Sequence, residues 1–426
     1  MDKSLSYTQP ISRYNRSVSL DDWYTSMDCY EKGEYQKSVV HLLRYINPPV
    51  TIPDGPDLDI TIPHGSVNVH LKMTGENFSV EVPFLKFNSS SLRLPSMRQM
   101  IESNFSAMVL AQTVLKGDEL WMEYKMPVEN CEPYKVYDLL DEMCREADQN
   151  DDYYIDRFKL EHISEIKAEP FTQEEREAAA REFGAIISEG LACADYMDGK
   201  RYYDMECDAL AITLFRLKHS IFPQGILDRD IQDVLSGMYE HQPPETIAAK
   251  TKEKMKKLQN YDSNKMQESL YHPLFFMPIK PRADILKVQE QLENCYNIVS
   301  KNYSSGAYMY CAMFGIYELY YLCELFTIPP EVMKAVEATL EAISGAEWKT
   351  AAEGIYKFLN WIMEIEVDEN GEVIKGSLVF KSAKPAKEAS SASSKAKDVA
   401  KNVAKGAATS GLRGIISRII DNILRG

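Results

Sequence analysis

Between residues 66 and 126 the apolar residues of this 426-residue chain change period. Val67, Val69, Leu71 and Met73 alternate with Asn68, His70 and Lys72, and after Thr74-Gly75-Glu76-Asn77 the alternation resumes with Phe78, Val80, Val82 and Phe84. A period of two places those side chains on one face of a sheet, and a glycine turn between two such runs closes them into a hairpin. A helix is predicted from Pro95, with Met97, Met100, Ile101 and Phe105 inward. A second hairpin then runs through 108–115, the turn Lys116-Gly117-Asp118, and Leu120, Met122, Tyr124 and Met126 alternating with Trp121, Glu123 and Lys125. Val136, Leu139, Leu140, Met143, Cys144 and Ala147 predict a closing amphipathic helix. A sheet with one apolar face must be covered, so this stretch folds as an α+β module of helices on antiparallel hairpins.

The flanks are helical. Residues 20–47 read as two short helices around Gly33, the first presenting Leu20, Trp23 and Met27, the second Tyr35, Val39, Leu42, Leu43 and Ile46, with Pro48 and Pro49 as the stop. From Thr172 to about Met363 the spacing predicts an all-α domain with helices at 174–198, 202–219, 228–240, 245–260, 282–303, 307–326, 330–343 and 347–363. Strands at 363–367 and 372–380 around Asp368-Glu369-Asn370-Gly371 suggest a closing hairpin. The length exceeds what one core sustains, so the chain is mainly helical and multidomain. The expected division is a flexible N-terminus at 1–19, the α+β module at 20–156 ending in a charged linker around 148–156, a helical domain at 172–380, a Lys/Ala/Ser linker at 381–410 and an amphipathic helix at 411–426.

Chemistry-bearing motifs are sparse. The sequence contains no GxxxxGK[ST], GxGxxG after a strand, HExxH or GxSxG. Eight cysteines never form a CxxC pair, so they read as reduced, mostly buried thiols. The seven histidines are not spaced to share a helix turn. Asp148, Asn150 and Asp152 mimic the start of a calcium loop, but Tyr153 stands where the turn needs glycine and Lys159 where a bidentate Glu is needed, which leaves a solvated acidic linker. The basic run at 250–257 sits on an acidic protein without interleaved aromatics, so nucleic acid is not an expected partner. Residues 307–326 are long enough to span a bilayer, yet Glu318 and five tyrosines fit a central helix of a helical domain better. No secretory leader is evident in the first ten residues, and the expectation is a cytoplasmic protein. No catalytic residue, cofactor or metal is expected.

Two resemblances emerge from these residues. The spacing of Gly33, Tyr35, Ser38 and Leu42 is similar to the middle of one tetratricopeptide unit, without a repeating 34-residue period. The order helix, hairpin, helix, hairpin, helix, with RLPSMRQMIESNFSAMVLAQTVLKGDELWMEYKMPV and the Pro-started helix after it, resembles the type III secretion chaperone-like fold, in particular its YbjN-like branch, over residues 20–155. That resemblance implies a small non-enzymatic module that recognises a protein partner on its sheet or helical face, often as a dimer.

The C-terminal part is electrically set apart. Residues 381–426 hold seven Lys and three Arg against Glu388, Asp398 and Asp421, a net of +7, so the rest carries −23 of the total −16. In GLRGIISRIIDNILRG the apolar Leu412, Ile415, Ile416, Ile419, Ile420, Ile423 and Leu424 fill about half of a helical wheel, with Arg413, Arg418 and Arg425 on the other half. At about 24 Å such a helix suits a groove or a membrane surface, not a crossing. Three fates stay open: docking on its own chain, binding a partner's groove or self-associating, and lying on an anionic membrane at the inner face. The combined expectation is an intracellular bacterial protein-interaction or adaptor factor, with a peripheral membrane protein and an enzyme of unrecognised type as alternatives.

Overall fold

The computed structural model describes residues 3–14, 19–48, 51–52, 57–106, 108–368 and 373–381. The chain opens its α+β module with α1 (Leu20–Glu31) and α2 (Tyr35–Ile46), which turn at Gly33 with φ +76°. Small residues let the pair close on each other: the Ser26 hydroxyl donates to the Ser38 carbonyl and the Ser38 hydroxyl to the Ser26 carbonyl, both at 2.8 Å. Three strands follow, β1 (Leu58–His64), β2 (Val67–Thr74) and β3 (Asn77–Lys86), then α3 (Arg93–Ser106), β4 (Gln112–Lys116), β5 (Glu119–Pro127) and the long α4 (Pro133–Phe158). The sheet order is β1-β2-β3-β5-β4, antiparallel throughout, with the two-residue β6 (Glu161–His162) paired to the end of β3. Its inner face is Leu71, Met73, Phe78, Val80, Val82, Met122 and Met126, sealed by Val136, Leu139, Leu140, Met143, Cys144 and Ala147 of α4. β1 was not anticipated: Pro63 argues against a strand, but β1 is an edge strand, where proline is tolerated.

The helical domain runs through β7 (Glu169–Pro170), α5 (Gln173–Gly199), α6 (Tyr203–Ile221), α7 (Gly225–Gly237), α8 (Pro244–Leu258), α9 (Ser263–Glu268), β8 (Tyr271–His272), α10 (Ile285–Ser304), α11 (Tyr308–Leu325), α12 (Pro330–Ala342), α13 (Trp348–Met363), β9 (Glu366–Val367) and β10 (Val373–Lys375). The predicted helices are present within about three residues at each end; the closing strand pair is present but shorter than the expected 363–367 and 372–380. A complete capping box starts α5, with Thr172 and Glu175 each accepting from the other's backbone N–H. α11 is buried almost all round, Glu318 included, and no described helix is long and apolar enough to cross a membrane. All eight cysteines are buried free thiols.

Two expectations are corrected. The acidic run 148–156 is not a solvated linker but the continuing last turns of α4, with Asp151 buried and Asp148 half-buried. Helix continuity across this run places Asp148 against the β1–β2 turn and Asp152 against the start of α7, while Asp156 stays exposed. The first residues, expected to be flexible, form a packed strap over 3–14. The Ser4 N–H reaches the Ala346 carbonyl at 2.8 Å, Ser6 gives its N–H and hydroxyl to Glu189 Oε1 at 2.9 and 2.7 Å, and the Ile11 N–H reaches the Ser220 carbonyl at 2.8 Å. Leu5 enters the helical core and Arg13 pairs with Glu337 at 3.0 Å. The strap is held because alternate residues supply an apolar anchor and hydroxyls with acceptors waiting on the helices.

Module and helical domain share one seam. Phe276 and Met277, which follow β8, are buried in the module's core. The Gly65 N–H donates to the Leu274 carbonyl at 2.8 Å, the Asn47 side chain to the Phe275 carbonyl at 3.3 Å, and the Met277 N–H to His64 Nδ1 at 3.2 Å.

Candidate functional site

α3 lies along the free edge of β4, the position where an unprotected sheet invites pairing with another chain. At its first turn Arg93 gives Nη1 to Asp118 at 2.6 Å and Nη2 to the Gly117 carbonyl at 3.3 Å, while its guanidinium sits 4.6 Å from the centre of the Phe87 ring. Near its last turn Asn104 stands in for a neighbouring strand: its Nδ2 donates to the Thr113 carbonyl at 3.0 Å and its Oδ1 accepts the Thr113 N–H at 2.8 Å. The loop behind the helix is clipped to α4, where the buried Glu142 carboxylate accepts the N–H groups of Val109, Leu110 and Ala111 at 2.8, 3.0 and 2.8 Å.

This fastening sets which side of α3 faces out. Ser96 and Met100 point inward, and Gln99 reaches Tyr153 of α4 at 3.2 Å. Ile101 and Phe105, predicted to be core, are 54% and 87% exposed, and Leu94 is 63% exposed. The reason is the Asn104–Thr113 pairing and the Glu142 clip, which turn the Ser96 and Met100 side toward the body. At about 100° per residue Leu94, Ile101 and Phe105 fall within roughly 40° of one another and span about 16 Å. Leu92 and Val109, both exposed, lie just beyond the two ends. Single exposed apolar residues are ordinary; here three share one helix face, with Arg98 between Leu94 and Ile101 on that face and Glu102 to one side. Burying each large side chain would be worth roughly 1.5–3 kcal/mol.

The clip is testable by itself. Glu142→Ala leaves three buried or half-buried N–H groups without their acceptor, so unfolding in urea is expected to show a loss of about 3 kcal/mol. Amide exchange should accelerate at 109–111 before the rest of the module; an unchanged exchange pattern would contradict the role given to Glu142.

Elsewhere the titratable groups are mostly sealed. Burial pushes the Cys131 and Cys193 thiols up to about 12 and holds the His219 imidazole down to about 4. Burial, with Asp204 and Glu318 nearby, raises the half-buried Asp208 carboxyl to about 8, so this acid keeps its proton at neutral pH and could donate it. Among the described residues no group of three or more His, Cys, Asp or Glu is arranged to hold a metal ion. The ten positions read from the sequence as a partner- or membrane-binding face, Leu412, Arg413, Ile415, Ile416, Arg418, Ile419, Ile420, Ile423, Leu424 and Arg425, lie outside the described residues, as does all of the 381–410 linker except Lys381. The α3 face was missed as a surface because its helical period was legible while its orientation was not: five apolar residues cover both sides of this helix.

Fold and site together define a class: an antiparallel α+β module, with an exposed apolar edge helix, built onto a mostly helical domain. No family model, curated protein or solved structure matches this chain.

Proposed function

We propose that this protein is a non-enzymatic interaction factor of the cytoplasm, a chaperone-like adaptor whose module takes an apolar segment of a protein partner on the outward face of α3. The observation that carries this reading is the row Leu94, Ile101 and Phe105, held outward by Arg93, Asn104 and Glu142. Two further points support it: the resemblance of residues 20–155 to the YbjN-like branch of secretion chaperones, and the sealing of the cysteines. Helix-face recognition of this kind places large side chains at three- and four-residue steps in an apolar groove.

The test is photo-crosslinking in cells that make the protein, with benzoylphenylalanine in place of Phe105 or, as a control, of Tyr24, which is exposed on α1. A discrete protein adduct at 105 and none at 24 is expected. Absence of any protein adduct at 105 would contradict the reading.

A further inference from the structure

We infer that the seam between the module and the helical domain is a proton-operated hinge, with Phe276 and Met277 as its pivot and the carboxylates of Asp148, Asp151 and Asp152 as its latch. The pivot is apolar: both side chains, carried on the segment after β8, are buried in the module's core, and that burial does not change with pH. The latch is charged. Little more than one turn of α4 brings its three carboxylates to one side of the helix. Asp148 closes on the β1–β2 turn, where it accepts the Ser66 N–H at 2.7 Å and hydroxyl at 3.0 Å. Asp152 closes on the start of α7 so tightly that a Cβ on Gly225 would lie 2.1 Å from its Oδ2. Asp151, fully buried, takes the Asp152 N–H on Oδ1 at 2.7 Å, while its Oδ2 has no hydrogen-bond partner and lies 3.7 Å from His162 Nδ1. The Ser66 hydroxyl is beside both Asp148 and Asp151 and has one proton to give. Three ionised carboxylates are not satisfied in this space, so the closed seam needs protons.

The surrounding groups do not supply the compensation. From α7, Asp228 faces Asp148 and Arg229 faces Asp152. Lys218 holds Asp228 at 3.3 Å, and the Arg229 guanidinium lies 4.1 Å from the centre of the Tyr153 ring. From α9, Glu268 faces Asp152, and Lys265 is committed to Asp156 at 3.0 Å. β8 adds the Tyr271 hydroxyl, the turn before α9 adds that of Tyr261, and β6 adds His162. α4 itself adds Asp156 and the Cys144 thiol. Among these described groups the further acids outnumber the cations, so ionising the latch adds repulsion across the seam.

Linkage fixes the direction. Burial raises Asp148 and Asp152 to about 6 and Asp151 well above its ordinary value, so the closed seam binds protons that an open, hydrated seam releases. Closure is favoured at low pH. Between pH 5 and 8 the ratio of open to closed rises by about tenfold for each of Asp148 and Asp152. His162, held below its ordinary value by burial, acts in the opposite sense as pH falls. Opening parts α4 from α7 while the pivot stays seated, a rotation of two bodies about a short segment. The hinge operates whether or not α3 binds a partner.

The experiment measures the distance between two spin labels in the full-length chain, one on Asn77→Cys in the module and one on Lys256→Cys in the helical domain, both exposed positions. All eight native thiols are buried, so the labels go to the introduced cysteines. A single distance is expected at pH 5, joined at pH 8 by a longer one at least tenfold more populated, with helical ellipticity unchanged. Asp148→Asn combined with Asp152→Asn should keep the pH 5 distance at both values. One unchanged distance in the parent at pH 5 and 8 would overturn the inference, and this measurement stands whether or not the double variant folds. A longer distance that persists undiminished in a folded double variant, or that appears only with loss of ellipticity, would also overturn it, the first by assigning the motion to other groups and the second to unfolding.

Discussion

Replacing Gly65 by alanine is expected to destabilise the protein by about 3–5 kcal/mol, whereas Gly75→Ala in the neighbouring turn should cost only about 1–2 kcal/mol. Both glycines have positive φ, +54° and +56°, so both changes carry the same left-handed penalty. They differ in what a Cβ would meet. At Gly75 nothing lies within 4 Å, while at Gly65 the new atom would be 1.8 Å from Asp148 Oδ1. Asp148 cannot yield freely, because it accepts the Ser66 N–H at 2.7 Å and hydroxyl at 3.0 Å from the end of α4. The Gly65 N–H also ties the turn to Leu274, next to the residues that cross into the module's core. Displacing this turn therefore disturbs both the sheet and the seam. Urea unfolding of the two variants beside the parent checks the difference, and equal losses would show that crowding at Asp148 is unimportant.

The same end of α4 should make stability fall as pH rises from about 4 to beyond 6. Burial, opposed by the Ser66 hydrogen bonds and reinforced by Asp152 and Asp228, raises Asp148 to about 6. Burial with Glu268 and Asp156, opposed by Arg229, raises Asp152 to about 6, and burial with its two aspartate neighbours raises Asp151 well above its ordinary value. Asp151 Oδ2 lies 3.7 Å from His162 Nδ1 and has no hydrogen-bond partner, so its neutral form is the one the interior accepts. The folded-state values exceed the unfolded ones, so the folded protein binds more protons between them. Their contribution is full below about pH 4 and is lost as pH climbs through the folded values. His219, lowered to about 4, has the opposite sign and removes stability as pH falls from 6.5 towards 4. A paired comparison isolates the aspartates. In Asp151→Asn the amide oxygen can still accept the Asp152 N–H, as Asp151 Oδ1 does at 2.7 Å, but the side chain never ionises. The variant should melt with the parent at pH 4 and above it at pH 8, the gap widening between. A gap that is constant with pH would contradict the account of Asp151.

Much of the fold was legible because it is written in periodicity. The alternation at 67–73, 78–84 and 120–126 became β2, β3 and β5, and the helical spacings of the second domain became its helices within a few residues. What escaped depends on contacts distant in sequence. Nothing local in Asp148 to Asp156 signals that a turn at Ser66 and the start of α7 will enclose three carboxylates. The strap at 3–14 takes its partners from residues 182 to 346, so only the folded helices reveal that it is bound. On α3 the apolar residues were read correctly as one helix, yet the side that turns inward is chosen by Asn104 meeting Thr113 and by the Glu142 clip, both tertiary contacts.

The central claim, that the α3 face binds protein, is tested most directly by Ile101→Glu combined with Phe105→Glu in the full-length chain. Both side chains are exposed, so the variant should melt within about 0.5 kcal/mol of the parent. Recovery of the protein captured by crosslinking at position 105 should fall at least tenfold, because two carboxylates would have to be desolvated in an apolar contact. Undiminished recovery of that protein by a variant that melts with the parent would contradict the assignment.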